Sequence, residues 1–155
     1  MGSAHRVFHG ALGGFGGTLV LTAFRKVLAR FGLVGTSAPE QVVERLEELG
    51  LVDGWSPEAQ RVLTAVAHLA YGVGTGTVMA FLRRERGGAA EEASVGSALG
   101  VLAWGAGWGS WLPLAGVHLP PWKQQTPKVL LPILDHVVFG AVWGLLYRSM
   151  KPDRV

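Results

Sequence analysis

Four stretches of the chain are long and almost unbroken in apolar residues, with short polar segments between them: 7–30, 59–82, 93–117 and 128–150. In a helix rising 1.5 Å per residue, roughly 20 apolar residues cross the ~30 Å hydrocarbon layer of a bilayer. A chain of 155 residues has too little polar surface to cover four such segments as buried helices of a soluble protein. The pattern therefore predicts an all-α integral membrane protein, a four-transmembrane-helix bundle forming a single domain over 1–155.

The one sizeable polar segment, 34–57, carries a helix of its own. Ser37, Ala38, Pro39 and Glu40 make a capping box, after which Val42, Val43, Leu46 and Leu49 share a face opposite Glu44, Glu47 and Glu48. This predicts a short amphipathic helix over about 38–50, lying on the bilayer or capping the bundle, with partner docking as the alternative. Its acidic face argues against a sensor of anionic lipid. Ser56, Pro57 and Glu58 are start signals for the second span, as are Thr126 and Pro127 for the fourth. Pro113, Pro120 and Pro121 close the third span, while Pro132 falls early in the fourth, where it is tolerated or gives a mild kink.

Composition agrees with this picture. Hydrophobic residues make up 49% of the chain and charged residues only 16%, against roughly 25% charged in soluble domains. The 23 glycines lie inside apolar runs, a membrane-helix feature, rather than in polar linkers. Without cysteine there are no disulfides, thiolate metal sites or cysteine nucleophiles. The net charge of +3 suggests nucleic acid only until the charges are located: they cluster at the ends of apolar segments and form no stripe. The expected partners are the lipid bilayer and either a second copy of the chain or a subunit of a membrane complex, with no nucleic acid.

The same charges orient the chain. With four spans, Arg6, Arg83, Arg84, Arg86, Arg148, Lys151 and Arg154 fall on one side. Lys123 and Lys128 fall on the other, with Arg25, Lys26, Arg30 and Arg45 in an acid-rich loop. The positive-inside rule then predicts a multi-pass protein of the cell (inner) membrane with both termini in the cytoplasm, although Arg25, Lys26 and Arg30 weigh against it. A signal peptide is not expected, because Arg25 and Lys26 follow the first apolar run in place of a small-residue cleavage site. Arg6 also breaks the myristoylation pattern.

A phrase recurs along the spans. His68, Tyr71, Gly72 and Gly76 match His136, Phe139, Gly140 and Gly144. The first span gives His9, Leu12, Gly13 and Gly17, and the third a weaker copy in Val101, Trp104, Gly105 and Gly109. Glycines four apart lie on one helix stripe and let two backbones approach, which matters in lipid, where burial of apolar surface gives helices no drive to associate. All eight glycines are therefore expected to pack helices together; making room for a flat ligand is the alternative. Trp104, Trp108 and Trp111 form a further stripe, with Trp111 and Trp122 placed for an interfacial aromatic belt.

The polar residues of the phrase carry what chemistry there is. His68 and His136 each stand about nine residues into spans of the same direction, hence at matched depth, roughly 13 Å in. Asp135 is there too, where a charge costs about 2.5–3.5 kcal/mol, so it should face the bundle interior or be protonated. Its expected partners are His68, Tyr71 or the indoles of Trp104, Trp108 and Trp111, since a residue next in sequence to His136 points about 100° away from it. Asp135, His136, His68 and Tyr71 are thus the candidate cluster for binding or conducting a proton, ion or small ligand. Two alternatives remain: a structural or assembly subunit in which the cluster only sets helix register, and a haem protein with His68 and His136 as axial ligands. No other cofactor, no metal and no catalytic residue is expected. His9 should lie near the cytoplasmic end and His118 in solvent at the outer surface. Gly13, Gly14, Phe15, Gly16 and Gly17 follow no strand, so a dinucleotide loop is rejected.

Pro120, Pro121 and Trp122, a short polar loop, and then an apolar helix with His136 and Trp143 resemble the C-terminal part of the YagU-type small bacterial inner-membrane proteins. The likeness covers about the last third of the chain, and Asp135, Gly140 and Gly144 depart from it. It implies several membrane spans, a bacterial inner-membrane location, a role in envelope or acid stress, and no catalytic residues to carry over.

Overall fold

The computed structural model describes residues 3–83 and 87–150. It is all-α, with no strand among the described residues: α1 (Ser3–Arg30), α2 (Ala38–Glu48), α3 (Pro57–Leu82), α4 (Ala89–Ala106), α5 (Leu112–Leu114) and α6 (Thr126–Ser149). A π-helical turn, Gly107–Trp111, joins α4 to α5, so the backbone stays helical from Ala89 to Leu114. α1, α3 and α6 are long and apolar enough to cross a membrane, with mean hydropathy of 1.4, 1.4 and 1.9 over their most apolar windows. α4, which opens with Glu91 and Glu92, is not among them.

Local chemistry sets most boundaries. Ser37 caps α2 through the full reciprocal capping box, and the Ser56 hydroxyl accepts from the Ala59 N–H at 3.2 Å above Pro57. The start of α6 is one residue earlier than Thr126 and Pro127 suggest: Gln125 is the N-cap and its side chain makes no cap bond. The π turn has a cause in Pro113, whose ring has no N–H and clashes with the carbonyl four residues back in a regular helix. One residue earlier the backbone has already widened, with the Leu112 N–H reaching Gly107 O. The chain then turns at Gly116, whose φ of +72° lies where a side chain is strained.

Glycine stripes hold the long helices together in the order α3, α1, α6, α4. On α1, Gly10, Gly14 and Thr18 meet Ala80, Gly76 and Gly72 of α3 in reverse order, so the two helices are antiparallel. On α4, Glu92, Gly96 and Gly100 meet Gly144, Gly140 and His136 of α6 in the same reversed sense. Between the pairs, Gly13 and Gly17 of α1 make room for Trp143 and Phe139 of α6. Trp143 is fully buried, and its indole N–H lies 3.0 Å from Gly76 O and 3.3 Å from Gly10 O. One side chain on α6 thereby ties α1 and α3. Leu21, Met79, Ala80, Phe139 and Tyr147 complete the core, while Val20, Val62, Val66, Val78 and Leu102 stay exposed on the outer faces.

Six of the eight predicted packing glycines (Gly13, Gly17, Gly72, Gly76, Gly140 and Gly144) lie at these contacts. Gly105 and Gly109 do not: a Cβ at either would meet nothing within 4 Å. The stripe that α4 turns to α6 is instead Gly96 and Gly100.

Candidate functional site

Because α3 and α6 both run antiparallel to α1, residues ten or eleven positions past their first stand at one level. His68 of α3 and His136 of α6 line the same cavity, of about 210 Å³. Thr18 and Leu21 of α1, Tyr71 of α3 and Phe139 of α6 share its walls, Ala38, Pro39 and Val42 of α2 cover it, and the π turn adds Trp108 and Trp111. The amphipathic α2 thus caps the bundle, with Val43 buried. A π turn is a local widening that recurs at functional sites, and here it shapes one wall. Tyr71 spans the gap between α3 and α4, its hydroxyl 3.4 Å from Ala103 O, and a side chain at Gly107 would meet that hydroxyl at 2.8 Å.

His136 has a defined hydrogen-bonding state. Its Nδ1 lies 2.7 Å from the Pro132 carbonyl, which can only accept, so Nδ1 carries a proton. Nε2 of the neutral ring is left as an acceptor. The indole N–H groups of Trp104 and Trp108 are buried without a hydrogen-bond partner. Trp108 also walls off the cavity from a wider polar groove of about 730 Å³ lined by Arg25, Gln41, Glu44, Gln124 and Lys128. His118 lines this groove half-buried, tilted against Trp108 with ring centroids 4.1 Å apart and with Nδ1 2.8 Å from Leu119 O. His9 sits at the far end, beside His5 and Phe8, one residue before Gly10.

Asp135 is buried, as expected, but its partner is none of those anticipated. One carboxylate oxygen is paired with the Arg25 guanidinium, whose other amino group donates to Gly35 O at 3.0 Å. Neither residue lines the cavity. The candidate cluster therefore divides: His68, His136 and Tyr71 face the cavity, and Asp135 turns to α1. Arg25 reads in the sequence as a flanking charge; what marks it is a long cation one or two turns from a helix end, able to reach inward along its own apolar stem.

A second buried acid lies at the opposite end. Glu92, wholly inaccessible, accepts from Arg83 at 3.0 and 3.3 Å, and Glu91 accepts from the same guanidinium at 2.6 Å. The bond with Glu92 raises the Arg83 pKa above its ordinary value, against the opposing effect of burial. Arg148 donates to Gly87 O at 3.3 Å beside them. Asp135 is thus not alone as a buried acid, and Arg83 and Arg148 do converge on one end; Arg84, Arg86, Lys151 and Arg154 lie outside the described residues.

The cavity does not fit haem. Its volume falls short of the roughly 300–1,000 Å³ usual for drug-sized ligands, and a porphyrin is larger still than most of those. Among the described residues, no group of three or more His, Asp or Glu side chains is placed to hold a metal ion. Comparison of the chain with protein-family models, with curated proteins and with solved structures finds no match.

Proposed function

We propose that this chain is a four-span membrane protein that binds a small, mostly apolar ligand in the half of the bundle covered by α2. The observation that carries the reading is the convergence of His68, Tyr71 and His136 on one cavity whose lining contains no charged side chain. Binding is favoured over conduction through the bilayer. Beyond the cavity the helices close on glycine stripes, and Trp143 and Tyr147 are stacked and buried across that half. Asp135 belongs to the frame: paired with Arg25, it joins α1 to α6 and fixes the level of the histidines.

α4 is the fourth span in this reading. It lies antiparallel along α6 from Gly100 beside His136 to Glu92 beside Gly144. A helix packed lengthwise on a membrane-crossing neighbour crosses the same layer. The likeness to YagU-type proteins adds an inner-membrane location.

A cavity-filling substitution tests the binding reading. Protein extracted into lipid nanodiscs carries along whatever small molecule its cavity holds, and Ala67→Phe on the cavity wall should abolish that carriage while leaving helicity and monodispersity unchanged. Equal small-molecule content in both proteins, by mass spectrometry of organic extracts, would overturn the reading. A purely structural role for the cluster predicts instead that His68→Ala and His136→Ala lower thermal stability and change no ligand content.

A further inference from the structure

The chemistry of the lining narrows the ligand, an inference that rests on the binding reading above. No Asp, Glu, Lys or Arg lines the cavity, so a charged ligand would shed its hydration with no opposite charge to meet it. Tyr71, Trp108, Trp111 and Phe139 supply aromatic walls, against which a flat ring packs with offset or edge contacts. An engineered apolar cavity of roughly 150 Å³ takes up benzene. The volume here, about 210 Å³, therefore suits one ring with a small substituent and not a fused system.

One polar group asks for one more feature. His136 offers an acceptor at Nε2, because its Nδ1 proton is committed to Pro132 O. A hydroxyl answers it by donating a hydrogen bond, whereas a carbonyl only accepts and an alkylamine would arrive charged. Phenols dissolve in bilayers, so the lipid around the bundle can supply one to the cavity. We infer that the cavity takes an uncharged single-ring phenol whose hydroxyl donates to His136 Nε2.

Three probes decide the matter with the full-length protein in nanodiscs, read by ligand-observed NMR against protein-free nanodiscs: 4-ethylphenol, ethylbenzene and 4-ethylbenzoate. The expected order is 4-ethylphenol about fivefold tighter than ethylbenzene, the usual worth of one buried hydrogen bond, with 4-ethylbenzoate not bound. His136→Phe keeps an aromatic ring, removes the acceptor, and should bring the phenol down to the affinity of ethylbenzene. Equal affinity for the phenol and ethylbenzene in the wild type overturns the phenol assignment and leaves the cavity reading standing. Binding of none of the probes above the lipid background overturns both. Preserved phenol preference in His136→Phe also overturns the assignment, and ethylbenzene binding confirms that the variant is folded.

Discussion

At Gly76 a Cβ would stand 2.6 Å from Gly14 Cα and 2.8 Å from its nitrogen, and the atoms in the way are backbone, which cannot rotate aside. A Cβ added at Gly74, on the same helix, would meet nothing within 4 Å. The pair makes a controlled comparison within one helix. Gly76→Ala should push α1 and α3 apart at a cost of about 1–3 kcal/mol, the range for overpacking a close contact. Gly74→Ala should be neutral or stabilise by about 0.5–1 kcal/mol, because alanine loses less backbone freedom than glycine on entering a helix. Unfolding in mixed micelles of increasing denaturing detergent reads both, and equal shifts for the two variants would remove the close-packing account. Spacing alone reveals that Gly72 and Gly76 share a stripe. It does not reveal which stripe faces a neighbour when the helix is apolar all round, and that is why Gly105 and Gly109 look as good in the sequence as Gly96 and Gly100. The matched level of His68 and His136 is legible, because two parallel helices count depth in the same direction.

The element scale is where charges lock helices to one another. Arg25 sits five residues before the end of α1 and Asp135 in the first half of α6, and their pair is the polar join between those helices on the cavity side. Asp135→Asn leaves the guanidinium, itself largely buried, without a counter-charge, and a loss of about 3–5 kcal/mol is expected. Replacing both partners by apolar residues of similar volume, Arg25→Met with Asp135→Leu, should recover most of that loss, since neither charge then has to be desolvated. The double-mutant cycle checks this through the detergent midpoints of the four proteins. Additive losses, with the double variant the least stable, would show that the pair does not act as a unit. Sequence reading separates the partners because they are 110 positions apart and because an arginine after an apolar run resembles a span boundary. Glu92 escapes notice for a similar reason: an acid in the first turn of a helix has a local explanation in the helix dipole, which hides its burial against Arg83. The π turn has a signal that reads differently in hindsight, since Pro113 looks like a terminator and proves to be a widening point inside a continuous helical run.

For the whole molecule, the decisive question is whether α4 crosses the bilayer with the three strongly apolar helices. The native chain has no cysteine, so single cysteines report topology without background. Ser3, Glu47, Lys123 and Ser149 are exposed and stand at the ends or outside the long helices. With four spans and cytoplasmic termini, Glu47→Cys and Lys123→Cys should react with a membrane-impermeant maleimide on bacterial spheroplasts, and Ser3→Cys and Ser149→Cys only after permeabilisation. A three-span chain keeps Ser3 inside and Glu47 outside but moves Lys123 inside and Ser149 outside, so the last two positions discriminate on their own. The packing argues for the first pattern: α4 meets α6 through Gly96 and Gly140, with backbone against backbone, and its acidic end meets Arg83 at the end of α3. A helix withdrawn to the surface would forfeit both contacts and leave Gly140 and Gly144 facing lipid. Full inversion, with Ser3 and Ser149 labelled and Glu47 and Lys123 protected, would keep the four spans and overturn the orientation drawn from Lys and Arg. The cap formed by α2 would then face the cytoplasm, and the ligand side of the cavity with it.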